Sequence, residues 1–194
     1  ALRAPSAAPE SCLFSLDIEH LLSNIFSMKC PRELSIKIAE RETKNGKNPE
    51  LQKLALHNLG IGGKQNASLL EDVYKSASNL EVKKQILHSY MLMGEKDRLF
   101  TLAKGESNAD LRSAAIHWLG ISQGAEQLGQ LYASETNAKV KSGILNGLFI
   151  GGGARQLIAA ARSEKDIQLK KEAVRYLSMM NTKESADFLA ELLK

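Results

Sequence analysis

NADLRSAAIHWLG, residues 108–120, reads as the first helix of a repeating unit. Asn108 offers a short side-chain acceptor three residues ahead of Leu111. Ala115, Ile116 and Leu119 then follow Leu111 by four, five and eight residues. On a helix of 3.6 residues per turn those offsets share one face. The same text recurs on both sides. Asn48, Asn79, Asn108, Asn137 and Asp166 are separated by 31, 29, 29 and 29 residues, and each precedes an aliphatic anchor: Leu51, Val82, Leu111, Val140 and Leu169. Four residues after the anchors come Ala55, Ile86, Ala115, Ile144 and Ala173. Five after come Leu56, Leu87, Ile116, Leu145 and Val174, and eight after come Leu59, Tyr90, Leu119, Leu148 and Leu177. A period near thirty residues marks a stacked array, because one unit has too little partner surface to bury its own apolar face.

The recurring Asn or Asp has a local explanation. The first turn of a helix leaves its amide groups unpaired, and a short side-chain oxygen just ahead of it accepts from them. Pro49 stands where a missing N–H costs nothing, and Glu50, Glu81 and Asp110 suit the positive end of the helix dipole. Gly60, Gly94, Gly120, Gly151 and Asn181 are expected to end these helices in left-handed turns. A second helix is expected after each, over 67–77, 98–104, 126–133, 154–162 and 185–193. Ser15 with Ile18 repeats the cap-and-anchor spacing upstream. The reading is therefore a tail over 1–14 and an array over 15–194, with units starting near 15, 48, 79, 108, 137 and 166. A longer period of 58 residues also shows. Tyr74, Lys83, Ile86, Leu99, Glu106 and Trp118 correspond to Tyr132, Lys141, Ile144, Leu157, Glu164 and Tyr176. This suggests duplication of a two-unit block.

The combination of Asn or Asp, an aliphatic residue followed by Arg or Lys (Leu111-Arg112, Val82-Lys83, Val140-Lys141, Leu169-Lys170), Ala115-Ile116 and Leu119-Gly120 resembles the HEAT repeat. The short unit is similar to the HEAT-like repeats of phycobilisome lyases. With Tyr-x-Ser at 74–76 and 132–134, the chain is also similar to acidobacterial HEAT-repeat proteins of unassigned function. The resemblance implies an all-α fold, a right-handed α-solenoid (α-α superhelix) of about six helix pairs whose capped helices line a concave face.

Composition narrows the function. Hydrophobic residues make up 43% and charged residues 25% of 194 residues, the balance of a soluble folded protein. A net charge of +4 falls short of a dedicated nucleic-acid binder. No apolar stretch is long enough to span a bilayer. Cys12 and Cys30 are too few for a disulfide scaffold or a structural zinc site, so the compartment stays open between cytoplasmic and exported. Gly60–Gly63 and Gly151–Gly153 read as inter-helix turns: Gly63-Lys64 is followed by Gln65, and no strand precedes it.

The candidate site is a ladder. Six residues after the anchors stand His57, His88, His117, Asn146 and Arg175. Two after them stand Lys53, Lys84, Ser113, Ser142 and Lys171. Both offsets point away from the core face. Lys53, His57, Lys84, His88, His117, Asn146, Lys171 and Arg175 are thus expected to form a hydrogen-bonding strip along the concave face. Helices pack about 8–10 Å apart, so histidines on successive units are expected to stand too far apart to share a metal ion. The His-Glu pairs of HEAT-like deoxyhypusine hydroxylases are missing. No catalytic, metal or cofactor site is expected. The expected role is a non-catalytic scaffold binding a protein or peptide, with nucleic acid or another polyanion, or a HEAT-like enzyme, as alternatives. Unperturbed histidines titrate near pH ~6.5, so an acidic partner is expected to bind more tightly on acidification.

Overall fold

The computed structural model describes residues 36–41 and 48–193; Cys12, Cys30, the tail and the Ser15–Ile18 cap-and-anchor pair of the first expected unit lie outside them. The described residues form helices and short connections, with no strand among them. Residues 36–41 are helical and bury Ile38 and Ala39. Ten longer helices follow: α1 Pro49–Ile61, α2 Ala67–Ser76, α3 Leu80–Met93, α4 Lys96–Gly105, α5 Ala109–Ile121, α6 Ala125–Ser134, α7 Ala138–Ile150, α8 Ala154–Ser163, α9 Ile167–Met179 and α10 Lys183–Glu191. A 3-10 turn, Lys64–Asn66, leads into α2.

Odd-numbered helices lie side by side as one layer, α1 to α9 in order. The even-numbered helices form a second layer: α2, α4, α6 and α8 each pack chiefly on the odd-numbered helix that follows, α10 packs on α9, and α4, α6, α8 and α10 touch in sequence. The repeated anchor positions fill the space between the layers. Leu51, Leu111 and Leu169 are buried, as are Ala55, Ile86, Ala115, Ile144 and Ala173, and the whole set forms one continuous core.

The caps form as their chemistry requires. Asn48 Oδ1 accepts from the Leu51 amide at 3.0 Å, and Asn79 accepts from Glu81 at 2.9 Å. Asn108, Asn137 and Asp166 each accept from two amides, the last pair being Gln168 at 2.8 Å and Leu169 at 3.1 Å. A glutamate two residues earlier braces three of these caps. Glu106, Glu135 and Glu164 accept from the backbone amides of Asn108, Asn137 and Asp166 at 3.1, 2.8 and 3.0 Å. Asn137→Ala is expected to cost about 0.5–2 kcal/mol through the lost amide capping. Chemical denaturation measures this, and a variant as stable as the parent would assign the Asn series to recognition instead.

The 58-residue period has a chemical content. Tyr74 donates its hydroxyl to Glu106 at 2.5 Å, and Tyr132 donates to Glu164 at 2.6 Å. Lys83 and Lys141 lie 4.9 Å over the two tyrosine rings, and Lys141 also bonds Glu164 at 2.8 Å. Bonds from Lys141 and Tyr132 hold the Glu164 carboxyl at about 2, well below the carboxylate range. Burial together with the glutamate pushes both tyrosine hydroxyls up.

Two glycines expected to end helices do something else. Gly60 and Gly120 lie inside α1 and α5, and the chain turns later. Among the described residues the positive-φ positions are Gly63, Gly94, Gln123 and Gly152, so Gly94 turns as expected while Gly151 ends α7 at φ −80° and leaves the positive φ to Gly152. A Cβ on Gly120 would meet the Gly147 carbonyl oxygen at 2.6 Å, and one on Gly60 would meet Ser89 at 3.0 Å. These glycines allow neighbouring capped helices to touch backbone to backbone. Asn181 lies beyond the end of α9, where Met180 is already extended.

Contact along the odd-numbered layer therefore alternates. The pairs α1/α3 and α5/α7 meet extensively through Gly60–Ser89 and Gly120–Gly147. The pairs α3/α5 and α7/α9 meet less and are spaced by rings: Trp118 stacks on His88 at 4.6 Å, and Tyr176 stacks on Phe149 at 5.1 Å.

Candidate binding groove

Each capped helix buries one face against the even-numbered layer, so its offset-two and offset-six residues point the other way. Across α1, α3, α5 and α7 this opposite face holds a groove of about 920 Å³. Lys53, Lys84, His88, His117 and Asn146 from the expected strip all line it. Its depth comes from small residues. Three after the anchors the side chain shrinks from Leu54 and Gln85 to Ala114 and then Gly143, where a Cβ would meet nothing within 4 Å.

The remaining strip residues fall elsewhere. His57 is half-buried beside the groove and stacks on His88. Lys171 and Arg175 are exposed on α9 and take no part in the groove lining. Arg175 instead lies 3.9 Å from Glu172 and 5.2 Å over the Tyr176 ring. Tyr176 is buried, whereas its counterpart Trp118 is half-buried and lines the groove.

The rings stand closer than helix spacing suggested. His57 and His88 have centroids 5.6 Å apart at 25°, and His88 and Trp118 are 4.6 Å apart at 30°. His117 meets the edge of Trp118 at 5.2 Å. Side chains from adjacent helices lean together, which corrects the expectation of a full helix spacing between them. The two imidazoles lie face to face, so their in-plane lone pairs run side by side rather than converging on a point. Among the described residues no group of three or more His, Cys, Asp or Glu side chains gathers as a metal site would.

Electrostatics also differ from a uniformly basic strip. Glu50, Glu81 and Asp110 line the groove beside Lys53 and Lys84. Lys84 bonds Glu81 at 2.9 Å, which raises its pKa. Burial, then His57, then Lys53 lower the His88 pKa, and the Gln85 amide nitrogen stands 3.3 Å from its Nδ1. His88 therefore takes up its proton at lower pH than an unperturbed histidine, which shifts any acid strengthening through it to lower pH. Lys83 and Lys141, one residue after their anchors, serve the tyrosine–glutamate clusters and not the groove.

Sequence reasoning treated Glu50, Glu81 and Asp110 only as helix-dipole partners. It also missed a row at offset ten: Ile61, Leu92, Ile121, Ile150 and Met179 are all exposed. The signal was present, since every unit carries a large apolar residue there. No helix among the described residues is long and apolar enough to cross a membrane. Comparison with protein-family models and with curated proteins gives no match to this chain.

Proposed function

We propose that the chain is a HEAT-like right-handed α-solenoid of about six pairs and a non-catalytic scaffold that binds a protein or peptide in the groove on its capped helices. The observation that carries this reading is the groove itself: four successive helices contribute side chains from the same repeat positions to one continuous surface. Extended surfaces of this kind are what repeat arrays use for recognition. Its polar contacts are donors and acceptors in rows, with Trp118 as an aromatic contact at the α3/α5 joint. Three carboxylates among them disfavour a polyanion, because each phosphate would approach Glu50, Glu81 or Asp110.

The test is affinity capture with the intact chain, comparing the parent with His117→Glu plus Asn146→Glu. Both residues are exposed and groove-lining, so the double variant is expected to melt close to the parent and to lose partner affinity about tenfold or more. Gln127→Glu plus Arg155→Glu on α6 and α8 is the control and is expected to bind normally. Binding lost in the control and kept in the groove variant would place the partner on the other layer.

A further inference from the structure

The exposed apolar residues are not scattered. Among the described residues eight large hydrophobics are exposed, and five of them, Ile61, Leu92, Ile121, Ile150 and Met179, share offset ten. Their exposure runs from 38% at Leu92 to 53% at Met179. At about 100° per residue, offset ten falls between offset minus one and offset three on the helix circumference. Those two offsets supply Glu50, Glu81, Asp110, Gln85, Ala114 and Gly143 to the groove lining. The aliphatic row therefore lies on the groove face, at the C-terminal edge of the capped helices. Helices α1, α3 and α5 each present, from N- to C-terminus, a rim carboxylate, the polar floor and an aliphatic residue, whereas α7 and α9 carry Lys139 and Gln168 at the rim position and keep the aliphatic residue. Along the array these become parallel rows.

We infer that the groove takes an amphipathic α-helix laid across the capped helices, with apolar residues on the aliphatic row and basic residues on the carboxylate rim. This rests on the groove reading and names its occupant. Three physical matches carry it. Packed helices repeat every ~8–10 Å, and seven residues of an α-helix advance ~10.5 Å, so a heptad-spaced apolar stripe meets one row residue per unit. Eleven residues separate the rim from the row, about 16 Å along the capped helix, which fits a helix ~10 Å across with a lysine or arginine stem reaching the rim. Charge complementarity decides the flank. Glu50 and Asp110 form no ion pair with a lysine or arginine among the described residues, while Glu81 alone is bonded to Lys84. Extended β-strand partners fit less well, because alternate side chains point away and the row has no sheet edge to pair with.

The probe is a synthetic helix of about 25 residues with leucine at every seventh position and lysines on one flank, labelled at one end, read by fluorescence anisotropy and circular dichroism. Two counterparts share its length: one carries glutamates on the flank, the other scrambles the leucine spacing. The lysine peptide is expected to bind the parent with a gain in helicity, and to bind about tenfold more tightly than either counterpart. Ile121→Glu plus Ile150→Glu is expected to weaken it by about tenfold while melting near the parent. Glu50→Lys plus Asp110→Lys should reverse the flank preference. Equal binding of the scrambled peptide, preference for the glutamate flank, or indifference to the isoleucine substitutions overturns the inference. Sedimentation showing that the parent self-associates and that Ile121→Glu plus Ile150→Glu makes it monomeric also overturns it, because a second copy then covers the row. A captured partner lost in His117→Glu plus Asn146→Glu but retained in the isoleucine variant overturns the helix alone and leaves the groove reading standing.

Discussion

Truncating Leu111 or Ile144 to alanine is expected to remove roughly 2–5 kcal/mol of stability, the range for large-to-small changes in a close-packed interior. Leu111 is 2% exposed and Ile144 is fully buried. They occupy equivalent depths on α5 and α7, where the odd layer meets the even one. Each deletion leaves a void that the flanking helices cannot close without disturbing the next pair. Denaturation midpoints measured on both variants test this, and near-parent values for both would mean that the helical register assigned here is wrong.

Gly120→Ala is expected to destabilise by about 1–3 kcal/mol even though alanine is the better helix former. The new methyl would sit 2.6 Å from the Gly147 carbonyl oxygen and 2.9 Å from its Cα, and these are backbone atoms with no rotamer to change. Gly143→Ala supplies the internal control. It makes the same substitution mid-helix, but its methyl meets nothing within 4 Å, so it is expected to be neutral or to stabilise by up to about 1 kcal/mol. Opposite signs for the two variants are the result that matters. If Gly120→Ala stabilises as much as Gly143→Ala, the close approach of α5 and α7 is not required for folding.

The caps, anchors and second helices were legible in the sequence because they rest on local chemistry: an acceptor before an apolar-periodic stretch, and offsets that share one face. The role of Gly60 and Gly120 was not, because a glycine near a helix end reads equally as a turn or as a contact. Only the neighbour's position, at Ser89 or Gly147, separates the two. The strip was legible in its angle and not in its extent. Lys53, Lys84, His88, His117 and Asn146 share the groove, while Lys171 and Arg175 do not, since groove depth depends on Ala114 and Gly143 and α9 carries Glu172 at that offset. The offset-ten row escaped notice because an aliphatic residue in the last turn of a buried helix is ordinarily core. Its exposure follows from where the chain leaves for the next helix.

The alternation between backbone contact and ring spacing bears on mechanics. Where two helices touch through Gly120 and Gly147, sliding or tilting drives main chain into main chain, so α5 and α7 move as one stiff plate, and α1 and α3 as another. Between the plates, Trp118 and His88 meet as flat faces 4.6 Å apart, a contact that tolerates rotation and small slips. Across the α3/α5 and α7/α9 joints the closer packing is made in the other layer instead, by α4 on α5 and α8 on α9. The groove spans the first of them, so its floor there rests on a stack of rings braced from behind by α4.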